Sequence, residues 1–344
     1  MAVGHLMPDP PRPAAPTRHI TLSETERRLL HALQQTPRAP WVDVARRVGV
    51  DRDIAAARWH ALAEARVAWQ AAYPGPRWWR THQLAWVEQD VPPADLDAVV
   101  THLSTAGRVL SLDVDLDSSL LAAVATRDYQ AVGRPLLDGL PPARETHLAS
   151  ELYSTASRWR IGALPDDGHP SGPPLDAPGT GPSDDRVRAL LAALGPDPRR
   201  PVTDIATACR VSYMTASRWL AHALAGGDLG IRVEVTALAA NRPVGLHWWL
   251  RVPDSHHTEL VGALLAQSDV RWVAGVLSTT GATVLAAAWT RDLPAARQLT
   301  ARVAGRCPAA LTVRQVVTLR PVKRLGWLLD PDTGRRGGYV PLDI

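Results

Sequence analysis

The chain has 344 residues, of which 46% are hydrophobic, and this is enough for about two to four compact domains with buried cores. No apolar run approaches the roughly 20 residues that cross a bilayer, and the start of the chain lacks the pattern of a secretory signal. The sequence therefore predicts a cytoplasmic protein with no membrane partner. A formal net charge of +4 is compatible with a polyanionic partner such as nucleic acid, but many basic proteins have none.

The two cysteines, Cys209 and Cys307, lie far apart and outside any CxxC or Cys/His cluster. Neither a disulfide framework nor a zinc site is indicated, so we predict no metal and no cofactor. The chain also lacks a GxSxG elbow, a phosphate loop ending in GK[ST] and an HExxH helix. These absences lead to the expectation that the protein is not an enzyme.

Two proline-rich stretches divide the chain. Residues 1–19 contain five prolines and no apolar periodicity, which predicts a disordered tail. Residues 165–183 contain six prolines and four glycines, which is the composition of a linker. The closing residues 327–344 are predicted to be a C-terminal tail that docks on a neighbour.

The two sides of the linker are related in sequence. At an offset of 161 positions, residues 27–50 share eleven of 24 identities with their counterparts in the second half, whereas chance would give about two. Farther along, LAAVATRD at 121–128 corresponds to LAAAWTRD at 285–292. The sequence therefore predicts a tandem duplication.

Each half begins with a pattern of three helices. Ser23 and Glu26 have the spacing of a capping box ahead of a helix over residues 24–34. Shorter patterns predict helices over 42–47 and from Asp51, as its cap, to residue 64, with Gly49 in the intervening turn. The second half repeats these helices at 185–194, 202–209 and 212–224, with Arg210 in place of the turn glycine.

Three helices of this kind are typical of a (winged) helix-turn-helix unit, which we place at residues 20–73 and 184–235. The last helix of such a unit enters the major groove of double-stranded DNA, so its polar residues are the candidate DNA contacts. They are Arg52, Arg58, His60, Ser212, Tyr213, Thr215, Ser217, Arg218 and His222. The alternative is a three-helix bundle that binds no DNA. This alternative is stronger for the first unit, because Asp51 and Asp53 lie at the end of the helix that would enter the major groove and would repel phosphate.

Each helical unit is followed by strand and helix patterns in the order β-α-β-β-α-β, which is typical of a ferredoxin-like domain. The second predicted strand, 109–116, alternates between apolar and polar residues. We place these domains at residues 80–160, including a helix over 129–137, and at 244–326. The predicted fold is therefore α+β, with two repeats of a helix-turn-helix unit and a ferredoxin-like domain.

Three segments carry a resemblance to a known family. RRLLHALQQTPRAPWVDVARRVGV resembles the first helices of Lrp/AsnC (feast/famine) transcriptional regulators, and SYMTASRW resembles their recognition helix. STTGATVLAAAWTRDLPAARQLTARV resembles the core of their ligand-binding RAM domain. The resemblance implies a sequence-specific DNA-binding regulator.

The resemblance also implies assembly and an effector. Family members pair their sheet domains, so the chain is expected to form a homo-oligomer or, within one chain, a pseudo-dimer, and to respond to an amino acid or other small metabolite. The implied effector residues lie between the second and third strands of each sheet domain, where the alternative is an ordinary hairpin turn. They are Asp117, Ser118, Thr279, Gly281 and Thr283.

Two other functions remain open. The same two-domain plan resembles siroheme decarboxylases, and His147, His247, His256 and His257 would then be the candidate residues for tetrapyrrole chemistry. Alternatively, the chain is an interaction module that binds no DNA and modulates a related regulator. The tryptophan pairs at 78–79 and 248–249 are expected to fill a core or an interface.

Overall fold

The computed structural model describes residues 21–126, 143–165 and 183–344. The described helices are α1 (Glu24–Gln35), α2 (Trp41–Val48), α3 (Arg52–Glu64), α4 (Leu96–Thr105), α5 (Asp184–Leu194), α6 (Val202–Cys209), α7 (Tyr213–Ala225), α8 (His257–Leu265) and α9 (Leu293–Arg306). The described strands are β1 (Ala68–Pro74), β2 (Gln83–Asp90), β3 (Val109–Asp115), β4 (Ser119–Thr126), β5 (Glu145–Ser154), β6 (Leu229–Val235), β7 (Val244–Arg251), β8 (Val270–Ser278), β9 (Val284–Thr290), β10 (Leu311–Arg324), β11 (Trp327–Leu329) and β12 (Arg336–Tyr339). Over the described ranges, no helix has the length and apolar content that crossing a bilayer requires.

The helix ends follow the local sequence signals, with one exception. Ser23 and Glu26 form both hydrogen bonds of the predicted capping box, and the side chain of Ser212 caps α7. Asp51 occupies the N-cap position of α3, but its side chain caps no backbone amide, so this part of the prediction is wrong. Gly49 and Arg210 end α2 and α6 in the left-handed region, at φ 79° and 55°.

The two helical units contact each other directly. Strand β1 follows the first unit and pairs antiparallel with β6, which follows the second, so the two form a two-stranded ribbon. Arg199 of the second unit donates hydrogen bonds to the carbonyl oxygens of Pro37 and Ala39 over 2.6 and 2.7 Å. Arg38 of the first unit donates to carbonyl oxygens of the second unit in the same manner. Arg38 and Arg199 are aligned at the offset of 161, and each donates hydrogen bonds to backbone carbonyls of the opposite unit.

Eight of the ten remaining strands close into an antiparallel barrel, and β11 and β12 extend from its strand β10. In the second half the hydrogen-bonded order is β10-β7-β9-β8, which is the ferredoxin-like order. In the first half the order is β5-β2-β4-β3. Strand β5 pairs with β8, and β10 pairs with β3, so each half supplies an edge strand to the other. Both edges of each four-stranded sheet are thereby paired within one chain.

The two faces of the barrel wall have different partners, because successive side chains of a strand point to opposite faces. Leu246, Trp248 and Leu250 of β7 pack in one core with Leu260 of α8 and Leu299 of α9. The alternate residue Trp249 belongs to a separate core with residues of β2, β4 and the ribbon. The helices α8 and α9 therefore pack against the outer face of the barrel in the second half, and the side chains of the inner face form the separate core that contains Trp249.

The predicted helices and strands are present to within about two residues, except where the structure is not described. The predicted helix over 129–137, the disordered tail 1–19 and almost all of the linker lie outside the described residues. Residues 327–344, predicted as a tail, contain regular structure. They include β11 and β12 and pack against their own chain, where Arg336 N donates to Arg66 O over 3.0 Å and Asp343 N donates to Gly107 O over 3.1 Å.

Candidate functional site

A cavity of about 400 Å³ lies at the end of the barrel that faces the β1–β6 ribbon. Both halves of the chain contribute to its lining. The ribbon supplies Trp69 and Arg232, the barrel strands supply Trp86 and His247, and residues 331–334, which follow β11, also line it. A cavity of this volume suits a small organic ligand, and we call it the central cavity.

A buried charge cluster forms part of the central cavity wall. The carboxylate of Glu234 binds both Arg232 and Arg271, with Arg271 Nη2 3.0 Å from Glu234 Oε2. Burial lowers the pKa of Arg271 to about 10, although Glu234 partly offsets this effect. Burial alone would raise the pKa of Glu234, but the two arginine charges outweigh it and lower that pKa. Two cations face one anion within this cluster, whereas the whole lining holds three arginines and three carboxylates, so only the wall at the cluster favours an anionic group.

Arg271 is fixed by aromatic rings as well as by Glu234. Its guanidinium carbon lies 4.4 Å from the centre of the Trp159 ring and 3.8 Å from that of Trp289. Such contacts stabilise a partly desolvated cation. A second ion pair, between Arg324 and Asp113, also lines the cavity.

His247 is the histidine that lines the central cavity. Its Nδ1 lies 2.9 Å from Thr318 Oγ1, and within the described ranges no hydrogen-bond partner reaches Nε2. Burial lowers the pKa of His247, so the imidazole is neutral near pH 7. The rings of Trp86 and Trp272 stack beside it with centroids 5.0 Å apart. The cavity thus combines a titratable group with a flat aromatic wall.

A second polar cluster lies deeper in the barrel. His147 Nε2 is 2.7 Å from Glu88 Oε1, and His147 Nδ1 is 2.8 Å from Ser278 Oγ. Ligand atoms of Glu88, Glu145 and His147 lie within 4.8 Å of one another, an arrangement that could hold a metal ion. However, the Glu88 carboxylate already binds two guanidinium groups, so a metal ion would compete with them.

The predicted DNA-binding residues lie on the outer faces of α3 and α7. The exposed side chains are Arg52, Arg58, His60, Ser212, Tyr213, Arg218 and His222, and the half-exposed ones are Thr215 and Ser217. Arg52 forms an ion pair with the neighbouring Asp53 at 2.9 Å. No acidic partner contacts Arg58 or Arg218 in the described part of the chain. These side chains are therefore exposed or half-exposed on α3 and α7.

The predicted effector residues lie in two hairpins away from the central cavity. Asp117 and Ser118 form the turn between β3 and β4, where Ser118 has a φ of 62°. Thr279, Gly281 and Thr283 lie between β8 and β9, and the Gly281 carbonyl accepts a hydrogen bond from Arg251 Nε over 2.9 Å. The structure assigns these residues to turns and does not bring them to the cavity lining.

The candidate histidines are dispersed. His256 is exposed and binds Glu259 at 2.8 Å, and His257 contacts the hydroxyl of Tyr153. His147 is fully buried in the barrel, which leaves His247 at the cavity. The charge cluster was missed from the sequence, although Arg271 within the apolar strand β8 is the kind of signal that could have found it.

Comparison with known proteins gives two kinds of match. The model of the AsnC-type helix-turn-helix domain matches residues 22–63. The siroheme decarboxylase NirDL, in co-complex with an iron-uroporphyrin III analogue, has 15% identity to this chain, and the match covers 88% of this chain and 93% of that one with a TM-score of 0.57. A second structure of NirDL gives 14% identity over the same shares of both chains with a TM-score of 0.56. The leucine response regulatory protein of Mycobacterium tuberculosis, at 18% identity, matches over 39% of this chain and 96% of its own with a TM-score of 0.32. No curated protein matches the chain.

These matches correct one expectation and establish the fold. The chain has an N-terminal AsnC-type helix-turn-helix domain within a mixed α+β structure. The expectation that the protein is not an enzyme is overturned, because the fold match that spans 88% of the chain is with an enzyme. That expectation came from the absence of GxSxG, GK[ST] and HExxH motifs. A decarboxylase that acts on a tetrapyrrole needs none of these motifs, so their absence does not exclude it.

Proposed function

We propose that the protein binds a carboxylate-bearing tetrapyrrole in the central cavity and removes a carboxyl group from it as carbon dioxide. The single observation that carries this proposal is a cavity in which buried arginines, stacked indoles and one histidine converge. The fold shared with the siroheme decarboxylase NirDL supports the choice of ligand class.

The lining suits such a ligand in both shape and charge. A tetrapyrrole is a flat aromatic ring system, and the stacked rings of Trp86 and Trp272 offer a flat apolar surface. Its carboxylates need cationic partners, and Arg232 and Arg271, which share the single carboxylate of Glu234, offer guanidinium groups at one wall of the cavity.

His247 is positioned to supply the proton that the reaction consumes. When the bond between the side chain and its carboxylate breaks, carbon dioxide leaves and the electron pair stays on carbon, which must then take up one proton. No oxidant or reductant is required. The nearby carboxylates of a bound substrate favour the protonated imidazole and so raise the pKa of His247, which makes Nε2 the proton donor.

The test uses tetrapyrrole binding and turnover as separate measurements. Purified protein is titrated with iron-uroporphyrin III while the visible spectrum is recorded, and it is then incubated with siroheme without oxygen while carbon dioxide release is measured. We expect a saturable spectral shift and release of carbon dioxide. The absence of both would overturn the proposal.

Three variants assign the roles. His247→Gln should retain the spectral shift and lose turnover by about 100-fold or more, the usual scale for an acid-base group. Arg271→Met should weaken binding by about tenfold or more because a cationic carboxylate partner is lost. His256→Gln is the matched control, since His256 is exposed and lies outside the cavity lining.

A second function, DNA binding, is supported by a different observation. Helix α3 of the AsnC-type domain has an outer face that is open to solvent, and so does helix α7 of the second helical unit. We propose that these faces contact double-stranded DNA and that the chain acts as an Lrp/AsnC-like regulator. A mobility-shift titration against DNA upstream of its own gene, at two salt concentrations and with unrelated competitor, tests this function. Retention no stronger than that of the competitor DNA would exclude sequence-specific binding.

The same reasoning extends to the organisation of the chain. We propose that residues 20–160 and 184–326 are two copies of one ancestral unit that pair within the chain as a pseudo-dimer. The recurring order of helices and strands and the exchange of edge strands support this proposal. The family resemblance is the basis for two further proposals. The chain associates into homo-oligomers, and an amino acid that binds at the hairpins 117–118 and 279–283 controls it.

A further inference from the structure

A second, much smaller cavity of about 10 Å³ lies inside the barrel. Its polar lining includes Glu88, Asp115, Ser119 and Arg314. Three further residues, Asp113, His247 and Thr318, line both this cavity and the central cavity, so the two cavities share a wall. We call the smaller one the barrel cavity. Because polar groups surround it and its volume is about that of one water molecule, we expect it to hold a single ordered water.

His247 needs a second face through which a proton can arrive. In the proposed function, on which the following proposal rests, His247 is neutral in the free protein and protonated once the substrate is bound. A substrate that meets Nε2 covers the imidazole on the side of the central cavity. The proton must then come from the other side, where Nδ1 lies 2.9 Å from Thr318 Oγ1. Since Thr318 lines both cavities, its hydroxyl connects His247 to the barrel cavity.

Asp115 is a carboxyl group suited to pass a proton into the barrel cavity. It is the last residue of β3 and points into the barrel like Asp113, because residues two apart on a strand share a face. Burial raises the pKa of Asp115, so it takes up a proton more readily than an exposed aspartate does. Arg314 Nη2 lies 3.2 Å from Asp115 Oδ2, but Arg314 also binds Glu88. One guanidinium charge shared by two carboxylates compensates each of them only in part.

Solvent reaches this end of the barrel without passing through the central cavity. Asp115 adjoins the β3–β4 turn, where Asp117 is exposed. Ser119, at the other side of the turn, donates its hydroxyl to Asp90 Oδ1 over 2.7 Å, and the Asp90 side chain is 58% exposed. The remaining charged group near Asp115 is Arg144, at the start of the segment that leads into β5. A proton can therefore enter the barrel at the β3–β4 turn.

We propose that Asp115 takes a proton from solvent and passes it, through the water of the barrel cavity and the hydroxyl of Thr318, to His247 Nδ1 when a tetrapyrrole fills the central cavity. The water accepts the proton of Asp115 and gives one of its own to Thr318 Oγ1, and Thr318 gives its proton to Nδ1. The imidazolium then donates its Nε2 proton to the substrate carbon. When the product has left, Nε2 takes a proton from solvent in the central cavity, and the Nδ1 proton returns along the same path.

The experiment records ligand binding and proton uptake as separate signals. Protein is mixed by stopped flow with iron-uroporphyrin III near pH 7 in a weakly buffered solution that contains a pH indicator. A parallel run in strong buffer gives the spectral change of the ligand alone, and the difference between the runs gives the protons taken up. We expect the wild type to take up as much as one proton per chain as the ligand binds. His247→Gln should show the spectral shift without this uptake.

Four variants test the route. Asp115→Asn keeps the Oδ1 that accepts the backbone N–H groups of Asp117 and Ser119, so the turn is preserved. It should bind the ligand at the wild-type rate and take up the proton about tenfold or more slowly. Thr318→Val has the same shape without the hydroxyl and should show the same delay, whereas Asp115→Glu should restore fast uptake. Asp97→Asn makes the matched change at an exposed position of α4 and should behave as the wild type.

The outcomes separate this proposal from the tetrapyrrole proposal. Proton uptake at the wild-type rate in Asp115→Asn would overturn the route, as would wild-type binding without any proton uptake. A spectral shift that is slowed as much as the uptake in Asp115→Asn would indicate a structural defect and would also overturn the assignment. Absence of a spectral shift in the wild type would instead overturn the tetrapyrrole proposal, and the route would fall with it.

Discussion

The guanidinium carbon of Arg271 lies 3.8 Å from the centre of the Trp289 ring. Arg271 is carried by β8 of the barrel, and its ion-pair partner Glu234 is carried by β6 of the ribbon. Arg271 therefore packs on Trp289 of the barrel and forms an ion pair with Glu234 of the ribbon, and all three residues line the central cavity.

Removal of this arginine should destabilise the fold strongly. Arg271→Met leaves the buried carboxylate of Glu234 with one cation instead of two, and breaking a buried ion pair costs about 3–5 kcal/mol. The free energy of unfolding in urea measures the change. The matched control is Arg291→Met at the exposed pair with Asp292, where a loss below about 1 kcal/mol is expected. Equal losses in the two variants would contradict the prediction.

His247 should make the stability of the protein depend on pH. Burial lowers its pKa, so below about pH 6.5 the unfolded chain binds a proton that the folded protein does not. The resulting stability is present above about pH 6.5 and is lost as the pH falls toward the folded pKa. Between about pH 7.5 and about pH 5.5, we expect the wild type to lose more free energy of unfolding than His247→Gln, measured by urea unfolding. The same pH dependence in both proteins would show that His247 does not titrate as inferred.

Arg218 should contribute directly to DNA affinity. Arg218→Ala removes an exposed guanidinium from α7 and should cost about 1–3 kcal/mol of binding free energy if it contacts a base edge. Mobility shift at fixed salt measures the effect. Arg297→Ala makes the same charge change at an exposed position of α9 and should leave the affinity nearly unchanged. An unchanged binding curve for Arg218→Ala would remove this residue from the interface.

The two helix ends in the left-handed region should respond in opposite ways. Arg210 has a φ of 55°, a conformation that costs a residue with a side chain about 1 kcal/mol, so Arg210→Gly should stabilise the protein by about that amount. Gly49 has a φ of 79°, and Gly49→Ala should destabilise by about 1 kcal/mol although a Cβ would meet no close atom. Thermal unfolding checks both. Gly262→Ala, in open space within α8 and without a positive φ, should instead stabilise.

Local features were predictable because their signals lie within a few residues. The capping box of Ser23 and Glu26, the turn at Gly49 and the alternating strand β3 all follow from spacing along the chain. These signals placed the helices and strands of both halves. They also placed the side chains proposed to bind DNA on the outer surface of α3 and α7.

The central cavity depends on contacts that no local pattern encodes. Glu234 and Arg271 lie on separate strands, and the pairing of β5 with β8 joins different halves of the chain. The packing of residues 327–344 against their own chain was missed because their Gly and Arg content is typical of a tail, whereas Trp327 lies in a core and anchors the segment. Predicting the cavity requires the long-range pairing of strands.

Closure of the barrel within a single chain has a consequence for dilute solutions. When two separate subunits share a sheet, the fraction assembled falls as the protein becomes scarce. Here the partner sheet is attached to the same backbone, so its effective concentration is fixed by the connecting segment and not by the number of molecules in the cell. The central cavity would therefore remain complete even when a cell contains only a few copies of the protein.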